Sequence, residues 1–204
     1  MITTNKRLLL LLLLVPCIST AASFGGAFSE TASQINLSNK MGDHVFVGGV
    51  NFYESGKKRA RTRYFNMQDG LSYTGDIIFD ANFTVATAGV MYNISFDSGW
   101  IVSPMLTAGY NPYRDPSAVQ SENGTAIAQP GLFLQWNHQK GRFYMNPKST
   151  YFNKDKAWVS QLELGADMNI GKRFSAGLKW DWTDKSILTP SGSSTLWLRT
   201  NYTF

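Results

Sequence analysis

The sequence predicts an all-β protein, an antiparallel up-and-down barrel that crosses a membrane with its strands. Three observations carry this expectation. The first is period-two alternation over eleven to thirteen residues near the C-terminal end of the 204-residue chain. Phe174, Ala176, Leu178, Trp180 and Trp182 alternate with Ser175, Gly177, Lys179, Asp181 and Thr183. Trp158, Leu162, Leu164, Ala166, Met168 and Ile170 alternate with Val159, Gln161, Glu163, Gly165, Asp167 and Asn169. Soluble strands run about five to six residues, whereas a tilted membrane-spanning strand needs about 9–11. The second observation is an export leader at the N-terminus. The third is that no later apolar run approaches the roughly 18 residues of a transmembrane helix. Backbone polar groups in lipid must be satisfied internally, so an exported, aromatic-rich chain of this pattern points to a closed barrel in an outer membrane.

The leader reads from its parts. Lys6 and Arg7 precede the apolar run 8–15, and Ser19, Thr20, Ala21 and Ala22 supply small residues for cleavage. The run is too short to span a bilayer, so residues 1–22 are expected to be a signal peptide cut after Ala22, with Ala21 as second choice. A lipoprotein signal is set aside because Pro16 stands before Cys17, where that motif takes a small residue. Cys17 leaves with the leader and the mature chain has no cysteine, which excludes disulfides and thiol chemistry. Without Lys6 and Arg7 the 19 basic and 14 acidic residues leave a net charge of +3, too mild to indicate nucleic acid. Residues 23–42, rich in Gly, Ser, Ala and Asn, read as an N-terminal extension: a mobile arm, a plug or a strand. Residues 43–204 form the expected barrel.

Strand candidates follow in order at 44–54, 64–68, 71–80, 82–96, 100–110, 125–138 and 142–153, then the two long strands described above and a last one ending at Phe204. Short turns at 97–99, 140–141 and 171–172 occupy every second connection. Long loops at 111–123 and 184–194 occupy the others, with 153–156 the one short member. Barrels of this kind have short periplasmic turns and longer outer loops, which sets the direction of the chain. The count is eight strands, or ten if 44–54 and 64–68 both span, and ten is preferred.

The inward parity carries charge. Asp76, Asp80, Arg142, Lys148, Glu163, Asp167, Lys179, Asp181 and Arg199 face the lumen. Hairpin register is expected to set Arg142 across from Asp167, Glu163 across from Lys179, and Asp181 near Arg199. Facing opposite charges favour each other, and an isolated buried charge is costly. In a barrel of 8–10 strands the ladder from Arg142 to Arg199 reads as a plug of salt bridges, with a narrow polar channel as the other reading.

Other candidates are weaker. His44 and His138 sit at the periplasmic end, and neither has the His-x-Ser pattern of the lipid A deacylases, so no enzymatic activity is expected. The basic run Lys57, Lys58, Arg59, Arg61 and Arg63 falls in the first outer loop on this count. It offers contacts to lipopolysaccharide phosphates, where Arg binds bidentately, and reads equally as a solvated loop. Pro104, Pro130 and Pro147 lie inside strands on the lipid-facing parity at similar height, where missing N–H donors weaken a wall. Outer-membrane lipid A palmitoyltransferases use prolines in this way, so a lipid-modifying or lateral lipid-access barrel is the alternative reading. Tyr92, Trp100, Tyr110, Trp136, Trp158, Trp180, Trp182 and Tyr202 read as interfacial girdles. No metal cluster, phosphate loop or nucleotide fingerprint is present, so no cofactor is expected.

The chain ends on Phe204, with Tyr202 two residues before it and Leu198 earlier on the same face. In these residues it resembles bacterial outer-membrane β-barrel proteins, which commonly end in such a strand. The resemblance implies recognition of Leu198, Tyr202 and Phe204 by the barrel-assembly machinery. The expected protein is a monomeric outer-membrane barrel with a structural, surface-binding or narrow-pore role, in contact with membrane lipid and lipopolysaccharide.

Overall fold

A computed structural model describes residues 21–80, 84–111, 124–184 and 192–204. Among these, twelve strands alternate in direction: β1 (Ala21–Phe28), β2 (Ala32–Met41), β3 (His44–Tyr53), β4 (Lys58–Asn66), β5 (Gly70–Asp80) and β6 (Thr84–Ser95), then β7 (Trp100–Asn111), β8 (Thr125–His138), β9 (Gly141–Phe152), β10 (Ala157–Asn169), β11 (Phe174–Thr183) and β12 (Ser193–Thr203). Each pairs antiparallel with its sequence neighbours, and β1 closes the barrel on β12 through Ser23↔Thr203 to Phe28↔Leu198. Closure leaves no edge, the condition for a sheet to stand in lipid.

The expectation of ten strands is therefore corrected to twelve. Both additional strands come from the segment expected as an N-terminal extension: β1 and β2 form the first hairpin, paired from Ala21↔Lys40 to Phe28↔Ser33. Small residues hide their alternation. A Cβ on Gly25 would lie 2.1 Å from Asn201 Oδ1, and one on Gly49 would lie 2.4 Å from Asn36 Oδ1. These glycines make room for polar side chains of the adjoining strands, so the inward parity of β1 and β3 carries no polar letter at either place. β4 also starts earlier than expected, at Lys58 rather than Tyr64. The signal peptide lies largely outside the described residues, as do most of the loops expected at 111–123 and 184–194.

The barrel is inverted relative to a soluble protein. Leu71, Tyr73, Ile77, Leu106, Leu178, Leu196 and Leu198 are exposed on the outer wall. Ser72, Ser103, Asn93 and Thr107 are buried on the inner one. At the end that carries both termini, Asn93 donates through Nδ2 to Ser72 Oγ at 3.0 Å and to the Gln68 carbonyl at 2.7 Å, and it accepts from Ser103 Oγ at 2.7 Å. This network ties β5, β6 and β7 to the adjoining turn. At the opposite end a small apolar cluster of Val85, Ile127, Phe152 and Val159 faces inward. Turns at the termini end are short: residues 42–43, 96–99 and 139–140. Gly99 has φ of +86° in the 96–99 turn, which a glycine adopts without strain.

Candidate functional site

The lumen is the site. Charged groups among the described residues form three clusters there, each built by strand parity from residues that the alternation sends inward.

The middle cluster crosses the barrel. Arg63 on β4 donates from Nη2 to Glu163 Oε2 on β10 at 2.7 Å. In a ring of twelve strands these two are diametrically opposed, so the bridge spans the lumen itself. Arg61, two residues away on the same face, bonds Asp76 through Nε at 2.9 Å and also through Nη2, and lies 3.9 Å from Glu163. Lys148 on β9 reaches to 3.9 Å from Asp76. Arg61, Arg63, Asp76 and Lys148 line a pocket with Asn146 and Gln129. Gln129 donates to Thr150 Oγ1 at 2.7 Å, whereas Asn146 Oδ1 is buried without a hydrogen-bond partner.

The cluster nearer the termini centres on Asp167. Arg199 grips it with Nη2 at 2.6 Å from both carboxylate oxygens and Nε at 2.9 Å. Arg142 adds a bond from Nε at 2.8 Å. Arg199 Nη1 donates to the Tyr144 hydroxyl at 2.7 Å. Gly165 faces Tyr144 in the β9–β10 register, and a Cβ there would fall 2.2 Å from the Tyr144 ring. The absent side chain is what lets Tyr144 lie across β10 toward Arg199. The third cluster, on β11 beside Glu163 and Gly165, holds Lys179 with Asp181 at 2.9 Å and Lys179 over the Trp197 ring at 5.0 Å.

Arg142 faces Asp167 in the register, as expected. The other two expected pairings differ. Glu163 faces Asp181, Lys179 faces Gly165, and Arg199 faces Gly177. The β10–β11 register is centred on Lys172, with Asn169 facing Ser175, which moves the partner of Glu163 from Lys179 to Asp181, and in β11–β12 Asp181 faces Thr195, four positions from Arg199. Glu163 turns inward to β4, and Asp181 pairs within its own strand. The expected outer basic loop is also redistributed. Lys57 stays in the β3–β4 connection and Lys58 opens β4, but Arg59, Arg61 and Arg63 belong to the strand. Arg59 lies over Tyr53 with its guanidinium 5.8 Å from the ring centroid. Arg61 and Arg63 became luminal because β4 is longer than its weak alternation indicated.

His44 Nδ1 lies 2.9 Å from the Tyr64 hydroxyl, and His138 stacks on Trp136 with centroids 5.3 Å apart. Both histidines sit at the termini end. Pro104 faces Leu132, and Pro130 faces Leu106, across β7–β8. Pro147 faces Leu162 across β9–β10. The β8–β9 ladder has no partners at Gln129, Pro130, Leu132 or Phe133 among the described residues. Two prolines on facing strands remove two donors from that seam. Leu198, Tyr202 and Phe204 point outward on β12, and the Phe204 N–H donates to the Ala22 carbonyl at 3.0 Å.

Three solved structures share this architecture. The NanC porin superposes with a TM-score of 0.65 at 10% identity, covering 89% of this chain and 98% of that one. The fold is that of small outer-membrane porins. An outer-membrane channel of Pseudomonas putida matches with a TM-score of 0.61 at 8% identity over 92% and 97% of the two chains. The KdgM porin matches with 0.58 at 5% over 90% and 99%. No protein-family model matches the chain, and no curated protein matches it in sequence.

Proposed function

We propose that the chain is a narrow-pore, porin-like channel of the outer membrane that passes small polar solutes and prefers anions. The observation that carries this reading is the lumen. In the three clusters described above, six cations (Arg61, Arg63, Arg142, Lys148, Lys179 and Arg199) face four carboxylates (Asp76, Glu163, Asp167 and Asp181). An interior lined by one excess sign of charge raises the local concentration of the opposite ion. Twelve strands also enclose more width than the eight whose side chains fill their own interior, which supports a path through the lumen over a wholly plugged one. The fold shared with small porins supports the same reading.

On this reading the protein performs no chemistry. Its apolar wall meets membrane lipid as a monomer, Lys57 and Lys58 meet lipopolysaccharide phosphates, and the β12 terminus serves the assembly machinery. The test is single-channel recording in planar bilayers under a potassium chloride gradient. Steady openings with a reversal potential displaced toward that of chloride are expected. A silent barrel, or one selective for potassium, would refute the proposal. A second reading, lateral access for lipid, has the interrupted β8–β9 seam at Pro130 and Pro147 in its favour. A changed lipid A mass profile on deletion of the chain would support it against the channel.

A further inference from the structure

We propose that Arg61, Arg63, Lys148 and Asn146 form a binding subsite for a hydroxyl-bearing oxyanion, and that Glu163 occupies it as a tethered competitor. The oxyanion is the carboxylate or phosphate group of a small solute. The inference rests on the channel reading for access to the lumen.

Three observations meet at this place. First, Glu163 behaves geometrically as a ligand. It reaches from β10 to the facing wall and holds Arg63 at 2.7 Å, with Arg61 at 3.9 Å. Carboxylate on paired guanidinium groups is the arrangement by which proteins bind free carboxylates and phosphates. Second, the pocket is lined by three cations and the one carboxylate of Asp76, with Glu163 bonding Arg63 from β10, so displacing Glu163 leaves Asp76 alone against Arg61, Arg63 and Lys148. An incoming anion restores the balance that Glu163 supplied. Third, Asn146 is 8% exposed and lines the same pocket with Oδ1 unpartnered. A buried acceptor without a donor is costly, and a hydroxyl on the solute would satisfy it. Glu163 also has somewhere to go. Lys179 lies on the neighbouring strand, paired with Gly165 two residues along from Glu163. A swing from Arg63 to Lys179, which Glu163 would share with Asp181, keeps it paired while it leaves Arg63.

The test uses the folded full barrel in detergent micelles and titrates glycolate and acetate separately by calorimetry. Glu163→Gln is expected to tighten glycolate binding about tenfold, because Arg63 is left without its resident carboxylate. Asn146→Leu is expected to weaken glycolate about fivefold, the worth of one hydrogen bond, and to leave acetate unchanged. Glu163→Asp, one methylene shorter, keeps the charge but loses the reach, and should fall between wild type and Glu163→Gln. In bilayers, Glu163→Gln should carry more chloride current at equal voltage, with glycolate blocking it at lower concentration. Equal glycolate affinity in wild type and Glu163→Gln would overturn the competitor role, as would failure of both Glu163 variants to fold, which marks the bridge as structural. Equal discrimination of glycolate over acetate in Asn146→Leu would overturn the hydroxyl contact. Calorimetry needs no current, so a silent barrel that still binds glycolate would refute the channel and spare the subsite.

Discussion

Replacement of Asp167 by Asn isolates the energetics of the lumen. Asp167 and Arg199 have side chains only 5% and 12% exposed, so their bond is a buried ion pair. The amide retains one acceptor oxygen but not the charge, and Arg199 stays buried with Tyr144 as its remaining neutral partner. Breaking a buried pair from one side costs about 3–5 kcal/mol, because the other charge is left uncompensated. Arg142 is different: its side chain is 47% exposed, so losing its bond to Asp167 costs about 0–1 kcal/mol. Asp167→Asn should therefore destabilise the barrel by about 3–5 kcal/mol, and Arg142→Gln by at most about 1. The double variant Asp167→Asn with Arg199→Gln removes both charges and should recover at least half of the loss, since replacing both members of a buried pair is close to neutral. Urea unfolding of the barrel in phospholipid vesicles, followed by tryptophan fluorescence, measures all three. A loss below about 1 kcal/mol for Asp167→Asn, or a double variant less stable than the single, would refute the account of Arg199 as a charge dependent on Asp167.

Three further outcomes are expected. Gly165→Ala places a Cβ 2.2 Å from the Tyr144 ring and should cost about 1–3 kcal/mol of overpacking in the same urea assay; unchanged stability would mean that Tyr144 has another seat. Replacing Pro130 and Pro147 together by Leu restores two N–H donors to the β8–β9 seam. Amide exchange at Leu132 and Ser149 should slow by about tenfold, the worth of one ladder bond, and equal rates would show that the prolines do not weaken the wall. Deleting Phe204 removes a terminal ring that is 72% exposed and packs edge-on against Tyr202. Spontaneous folding into vesicles should persist while assembly in cells falls; equal loss in both would make Phe204 a structural residue rather than a signal.

The barrel's later strands were open to reading because their alternation is uninterrupted. Leu178, Trp180 and Trp182 face out while Lys179 and Asp181 face in, and one residue of slip would put those charges into lipid. β1 and β2 were hidden for the opposite reason. Gly25 of β1 holds an inward position without a side chain, because Asn201 needs the space. Such a glycine leaves no trace of parity. Arg61 and Arg63 were visible as charges but not as luminal ones, since Tyr64 and Phe65 are adjacent aromatics that break the alternation of β4.

Local patterning is enough to establish that the strands are membrane-length, that charge lies on one face and lipid-compatible groups on the other, and that the chain turns tightly at one end. These are local properties, set by the pleat and by residues two apart. Tertiary structure alone decided the strand number and the partners across the lumen. Arg63 meets Glu163 because closure at twelve strands sets β4 opposite β10, one hundred residues away along the chain. Period-two patterning states which way a side chain points; only the closed ring states what stands on the other side.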